Sequence, residues 1–365
     1  MNAKKILDHL LEQLGELDGS DLHLKAGQLA RARVKGKLFT LDSETPGADE
    51  LSAAMGELMP AASYEAFKKL GEIDFAYSLS DGTRFRVNAF LAQHEIGLAF
   101  RRIRATPPTA SQLDLPPAVE RLAETQRGLI LVTGPTGSGK SSTLAAMVDA
   151  INRSRATHII TLEDPIEFQH RDIKSLINQR EIGFDTRSFA SALRASLRQD
   201  PDVILVGEMR DLETVEAAIK AAETGHLVLS TLHTLGAAET VSRILDFYPP
   251  HQHHQARISL ADVLSGIVSQ RLVPKADGTG LLPACEILIA NGRIRQAILD
   301  PAHSTDIQTV VSEGAFYGMT TFDQSLADLV KSGLVTPDDA IASASNSHDL
   351  AIRLKDLGVI ASSAT

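Results

Sequence analysis

The chain has 365 residues, a formal net charge of −10 and 43% hydrophobic residues, which suits two or three domains with sizeable cores. Aromatic residues make up only 4% and tryptophan is absent, so composition argues against a base-stacking surface, and the charge argues against a broad nucleic-acid footprint. The single Cys285 excludes an intramolecular disulfide and a multi-cysteine zinc site.

Residues 3–15 carry Ile6, Leu7, Leu10, Leu11 and Leu14 at helical spacing. Lys4, Lys5, Asp8 and His9 make this start too polar for a signal peptide. No later apolar run approaches the roughly 18 residues of a spanning helix. The expectation is a cytoplasmic protein with no direct membrane insertion. Asp21-Leu22-His23-Leu24-Lys25, Ala32-Arg33-Val34-Lys35 and Arg84-Phe85-Arg86-Val87-Asn88-Ala89-Phe90 alternate like strands, punctuated by Gly27, Gly36 and Gly82. Together they predict a small α+β domain over residues 1–104. Pro107, Pro108, Pro116 and Pro117 mark residues 105–117 as a linker.

Beyond the linker, four short apolar runs alternate with helical stretches: 129–132, 158–162, 203–206 and 227–232. Near-continuous apolar strands between helices predict an α/β domain, residues 118–273, whose parallel sheet is covered on both faces. Leu260, Val263, Leu264, Ile267 and Val268 read as one helical stripe, and residues 274–365 as mostly helical.

The first run leads into Gly134-Pro135-Thr136-Gly137-Ser138-Gly139-Lys140-Ser141, which meets every fixed position of G-x-x-x-x-G-K-[ST]. Glycines let backbone N–H groups approach a phosphate chain. Lys140 can reach the terminal phosphates, the Ser141 hydroxyl can ligate Mg²⁺, and the helix that begins here, with Ser142 in its first turn, adds its positive dipole end. The other runs lead into Glu163-Asp164-Pro165, then Gly207-Glu208-Met209-Arg210-Asp211, then His233. Ligands of open parallel sheets bind outside the carboxyl ends of strands, so these segments should converge on one nucleotide, ATP with Mg²⁺. Glu163 is the candidate to polarise an attacking water, with Asp164 and Glu167 as weaker ones. Glu208 is the candidate at Mg²⁺, with direct ligation and water positioning both open. His233 is a candidate contact to the γ-phosphate and His226 a weaker one. His251, His253 and His254 lack a carboxylate or cysteine frame and read as a solvated loop.

Arg84, Arg86, Arg101, Arg102 and Arg104 lie in or just after the first domain, outside the phosphate-loop domain. Charge developing on a γ-phosphoryl group is often met by such an outside arginine, and a neighbouring subunit could present these, Arg84 and Arg101 above all. Arg194 and Arg210 are further candidates.

The motifs in this order resemble the secretion-ATPase superfamily that powers type II secretion and type IV pili. The resemblance rests on the phosphate loop, the box Thr161-Leu162-Glu163-Asp164-Pro165-Ile166-Glu167-Phe168, the run through Gly207-Glu208-Met209-Arg210-Asp211, and Thr224-Gly225-His226 to Thr231-Leu232-His233-Thr234. Asn178-Gln179-Arg180-Glu181-Ile182-Gly183 and Ser20-Asp21-Leu22-His23-Leu24 are similar to the pilus retraction motors within it. The resemblance spans about residues 4–350. It implies a PAS-like N-terminal domain, a RecA-like motor domain, a helical tail, and a homohexameric ring that docks on the inner-membrane platform protein of the pilus machinery. The expectation is a chain without the large additional N-terminal domain of the related extension motors, and one cysteine cannot make their four-cysteine zinc element. The chain also departs from the retraction motors at Gly292-Arg293-Ile294-Arg295-Gln296-Ala297-Ile298, where they carry Ala-Ile-Arg-Asn-Leu-Ile. The expected activity is ATP hydrolysis that drives pilus retraction and twitching motility. An accessory retraction paralogue, a ring-shaped nucleic-acid translocase and a regulatory nucleotide-binding module are the alternatives.

Overall fold

A computed structural model describes residues 3–34, 36–41, 46–59, 61–103, 106–303 and 306–359. Two units separate by their internal contacts: Met1–Thr106 with Glu167–Gln169, and Pro107–Ile166 with His170–Thr365. The expected boundary at 104 and 105, and with it Arg104, lies outside the described residues.

In the first unit the leucine stripe forms α1 (Ala3–Glu16), with Leu7, Leu10, Leu11 and Leu14 fully buried. Then come β1 (Asp21–Lys25), β2 (Arg31–Val34), β3 (Lys37–Thr40), α2 (Ala48–Leu58), α3 (Ala61–Leu70), β4 (Glu72–Ser78), β5 (Arg84–Ala92) and β6 (Glu95–Arg102). The strands make one antiparallel sheet in the order β3-β2-β1-β6-β5-β4. Period-two alternation on β5 buries Phe85, Val87 and Ala89 on one face. Phe85 meets Phe100 edge-to-face at 6.4 Å.

The second unit opens with α4 (Pro117–Ala123), β7 (Gly128–Thr133), α5 (Lys140–Ser154), β8 (His158–Glu163), β9 (Leu176–Glu181) and α6 (Phe189–Ser196). It continues with β10 (Val203–Val206), α7 (Leu212–Glu223), β11 (Leu227–Leu232), α8 (Ala237–Asp246), α9 (His253–Val263), β12 (Leu264–Pro274) and β13 (Leu281–Ile289). Five helices follow: α10 (Gly292–Leu299), α11 (Asp306–Glu313), α12 (Phe322–Lys331), α13 (Pro337–Ser343) and α14 (Ser347–Asp356). The sheet order is β13-β12-β7-β11-β10-β8-β9, parallel except for β13. Alternate residues of each strand feed two cores. Leu129, Leu131, Ile160, Leu162, Ile204 and Val206 pack with α6 to α9. Ile130, Val132, Ile159, Val203, Leu205 and Leu229 pack with α4 and α5. Burial on both faces is why these runs are apolar throughout.

The helical stripe expected through Val268 is corrected: the helix stops at Val263, and Leu264, Ile267 and Val268 belong to β12. Their spacing suits a helix, but Gly266 interrupts it, and a strand buried on both faces leaves no period-two signal. The sheet therefore runs on to Ile289, beyond residue 273, and the mostly helical region begins after β13. Val273, Leu282 and Ala284 of the β12–β13 hairpin join Leu326, Val330, Leu350 and Leu354 in a separate C-terminal core. Among the described residues, no helix is long and apolar enough to cross a membrane.

Cys285 sits fully buried on β13, and burial pushes its thiol up to about 12. Only the thiolate is a good nucleophile. At pH 8 an aromatic disulfide reagent should leave the native protein unmodified while the urea-unfolded chain reacts fully. Rapid native labelling would mean that the β12–β13 edge opens in solution.

Candidate nucleotide site

The parallel ladder sets the carboxyl ends of β7, β11, β10 and β8 side by side. The phosphate loop leaves β7, His233 follows β11, Glu208 follows β10, and Glu163 ends β8. Four segments far apart in sequence thus reach one rim. Hydroxyls brace it: Ser230 Oγ donates to the Val206 carbonyl and Thr231 Oγ1 to the Gly207 carbonyl, both at 2.7 Å, while Thr133 and Ser269 share a 2.8 Å bond.

Two glycines show why the loop has its sequence. Gly134 has φ +142°, and a Cβ there would lie 2.4 Å from the Gln270 carbonyl oxygen and 2.6 Å from Ser138 Oγ. Gly137 has φ +82°, but a Cβ there would meet open space. Pro135, Thr136 and Gly137 are exposed at the loop tip, whereas Gly134, Ser138 and Lys140 are buried. Gly139 is the N-cap of α5, which starts at Lys140, so Ser141 and Ser142 occupy its first turn.

Lys140 folds its ammonium back over the loop. Nζ donates to the carbonyls of Gly134 at 2.9 Å and Pro135 at 3.0 Å, and lies 3.4 Å from His233 Nδ1. His233 Nε2 is 3.6 Å from Glu208 Oε2, which also accepts from Arg210 Nε at 2.7 Å. Ammonium, imidazole, carboxylate and guanidinium therefore alternate along the rim. Glu163 Oε1 accepts from Thr161 Oγ1 at 2.6 Å and Gln179 Nε2 at 3.1 Å. Asp211 is a capping residue: its carboxylate accepts from Thr214 N–H at the start of α7.

Two buried oxygens in this region, Ser138 Oγ and Gln270 Oε1, have no protein partner. Buried polar groups are normally satisfied, so a polar ligand or its water suits this place. The oxygen donors Ser141 and Glu208 also suit Mg²⁺, which takes one or two protein oxygens beside phosphates and water. Among the described residues, no cluster of three histidine, cysteine or acidic side chains offers an all-protein cage.

Other candidates fall elsewhere. His226 precedes β11, so it stands at the opposite, amino end of the ladder, where Nδ1 lies 2.9 Å from the Ala221 carbonyl. Glu167 groups with the first unit. His251 lies on a 3₁₀ turn, and His253 and His254 open α9. Arg194 pairs with Glu213 at 2.5 Å. Arg84 and Arg101 belong to β5 and β6 of the first unit. Burial pushes the Asp21 carboxyl up, but hydrogen bonds from Arg101 (2.8 Å) and Ser20 outweigh it and hold Asp21 below the usual range. The Arg101 side chain is still 74% exposed, so a second acceptor could reach it. Among the described residues, Arg84 carries no ion pair.

A glycine-rich loop between a buried parallel strand and a helix, with acids and a histidine at the neighbouring strand ends, defines a P-loop ATPase. The family model for type II/IV secretion system proteins matches residues 85–314. A twitching motility protein of Neisseria gonorrhoeae is 45% identical over 318 residues, covering 87% of this chain and 85% of its own. The type IV pilus retraction ATPase PilT of Pseudomonas aeruginosa is 41% identical over 334 residues, covering 92% and 96%. A crystal structure of the pilus retraction motor PilT with bound ADP matches with a TM-score of 0.86 at 44% identity, covering 94% of this chain and 98% of that one. The chain belongs to the type II/IV secretion system protein family and is one of its ATP-hydrolysing enzymes.

The loop geometry ranks two substitutions. Gly137→Ala meets only the cost of left-handed backbone, about 1–2 kcal/mol. Gly134→Ala adds a collision with backbone and should weaken ATP binding by a further tenfold or so. Titration with a fluorescent ATP analogue should show that order, and equal affinities would contradict it.

Proposed function

We propose that this chain is the force-generating ATPase of type IV pilus retraction, working as a homohexameric ring on the cytoplasmic side of the inner membrane and docking there on the pilus platform protein. The observation that carries the reading is the line Lys140–His233–Glu208 beside the phosphate loop, in a chain alike to retraction ATPases over nearly its whole length.

Lys140 exchanges the Gly134 and Pro135 carbonyls for phosphate oxygens, and the loop N–H groups and the amino end of α5 complete the cradle. Because His233 adjoins both Lys140 and Glu208, a movement of the lysine toward phosphate changes the surroundings of the imidazole. That is how His233 reads the γ-phosphate. Ser141 and Glu208 would hold Mg²⁺, which neutralises charge on the β- and γ-oxygens when bound. Glu163 orients the attacking water. Arg84 and Arg101 meet the γ-phosphoryl group of a neighbouring subunit, Arg101 giving up its Asp21 bond to do so.

Four outcomes test this. Lys140→Ala should lower both nucleotide affinity and turnover, by about 2–3 kcal/mol for a charge-assisted contact, with the fold intact. Normal hydrolysis by that variant would remove the site assignment. Glu163→Gln should keep ATP binding and lose turnover roughly 10²-fold, whereas equal loss of both would make Glu163 structural. Finally, hexamers mixed from Lys140→Ala and Arg84→Ala or Arg101→Ala chains should hydrolyse ATP faster than either parent, since some interfaces regain both groups. If native electrophoresis shows mixed rings and no arginine gives a gain, the arginines do not act between subunits. In cells, deletion should leave abundant surface pili that never retract.

A further inference from the structure

β8 and β9 run parallel, with Thr161 opposite Gln179 and Glu163 opposite Glu181. Residues two apart on a strand point to the same face, so Thr161, Glu163 and Gln179 share one. Thr161 Oγ1 and Gln179 Nε2 both donate to Glu163 Oε1. The other end of the Gln179 amide, Oε1, accepts from the His170 backbone N–H at 2.8 Å. A backbone N–H can only donate and a carboxylate can only accept. The amide orientation is therefore fixed: oxygen toward His170, nitrogen toward Glu163. A glutamate at 179 would set two carboxylates together, and a leucine would strand the His170 donor.

We propose that Gln179 is a positioning residue for ATP hydrolysis, which with Thr161 locks the Glu163 carboxylate at the strand-end rim by anchoring it to the backbone at His170. The proposal rests on Glu163 being the acid that orients water. Gln179 acts through Glu163, not on the reacting atoms. It narrows the directions that the carboxylate can take, and misplacement of such a group by about 1 Å can cost 10²-fold in rate.

The test uses the full-length hexameric ATPase. Gln179→Leu should lower kcat roughly 10- to 100-fold while KM and the affinity for a slowly hydrolysed ATP analogue stay within about twofold. Combining it with Glu163→Gln should cost no more than Glu163→Gln alone, because two changes on one path are not additive. Gln179→Glu should move the acid limb of the kcat–pH profile to higher pH, since a nearby negative charge disfavours the ionised form of Glu163. That shift reports the contact with Glu163, while the loss of kcat at constant KM and the non-additivity with Glu163→Gln are what a merely structural role would not give. Should Gln179→Leu fail to fold, the near-isosteric Thr161→Val removes the other donor, and the same non-additivity with Glu163→Gln is expected. Full kcat in Gln179→Leu while Glu163→Gln is inactive would overturn the proposal and leave the role of Glu163 standing. Multiplying losses in the double variant would overturn it too. Full turnover in Glu163→Gln itself would remove the underlying reading, and this proposal with it.

Discussion

Parallel hydrogen bonding among β7, β11, β10 and β8 is the constraint from which the site follows. It forces the four strands to end on one side, and it leaves both faces of the sheet to be covered by helices. The strand interiors must then be apolar, as Leu129 to Val132 and Val203 to Val206 are. Polar chemistry is admitted mainly at the rim, where the chain leaves the sheet. The phosphate loop, Glu163, Glu208 and His233 occupy that rim because the interior excludes unpaired charge. The buried hydroxyls of Thr133, Ser230 and Ser269 come with partners already in place.

At the rim itself the governing group is the Lys140 ammonium. Lys140 as a residue is 8% exposed, and a cation so placed needs acceptors. The Gly134 and Pro135 carbonyls are neutral ones, and phosphate oxygens are charged ones that bind it more strongly. The loop thus holds its own lysine with bonds good enough to keep order and weak enough to be exchanged. Further along, Glu208 is shared between Arg210 and His233. A change at any member of this line alters the field felt by the next.

What the sequence told, and what it withheld, follows the same physics. The loop was legible because glycine positions and a terminal lysine leave few alternatives, and the acids because the first polar residue after a buried parallel strand must stand at the rim. The stretch from Leu260 to Val268 misled because a strand buried on both faces has no alternation, and helical spacing is then met by chance. β9 went unread for the opposite reason: as an edge strand it carries Asn178, Gln179, Arg180 and Glu181. His226 and His233 look equivalent around one apolar run, yet strand direction sends them to opposite ends. The contacts of Gln179 and Gln270 depend on which strands are neighbours, β8 with β9 and β12 with β7, and no local pattern records that.

β12 has one more property. Its Gln270 carbonyl limits the space at Gly134, and three residues on, Val273 enters the C-terminal core with Leu326, Val330 and Leu350. At about 3.3 Å per residue the two ends of that segment are about 10 Å apart. From Gln270 to Val273 the strand is held in register by β13, its pairing with β7 having ended at Ser269, and an extended strand so paired can slide or tilt but cannot compress. The floor of the phosphate loop and the base of the terminal helices are therefore two points on one continuous strand, with no loop between them to absorb a shift.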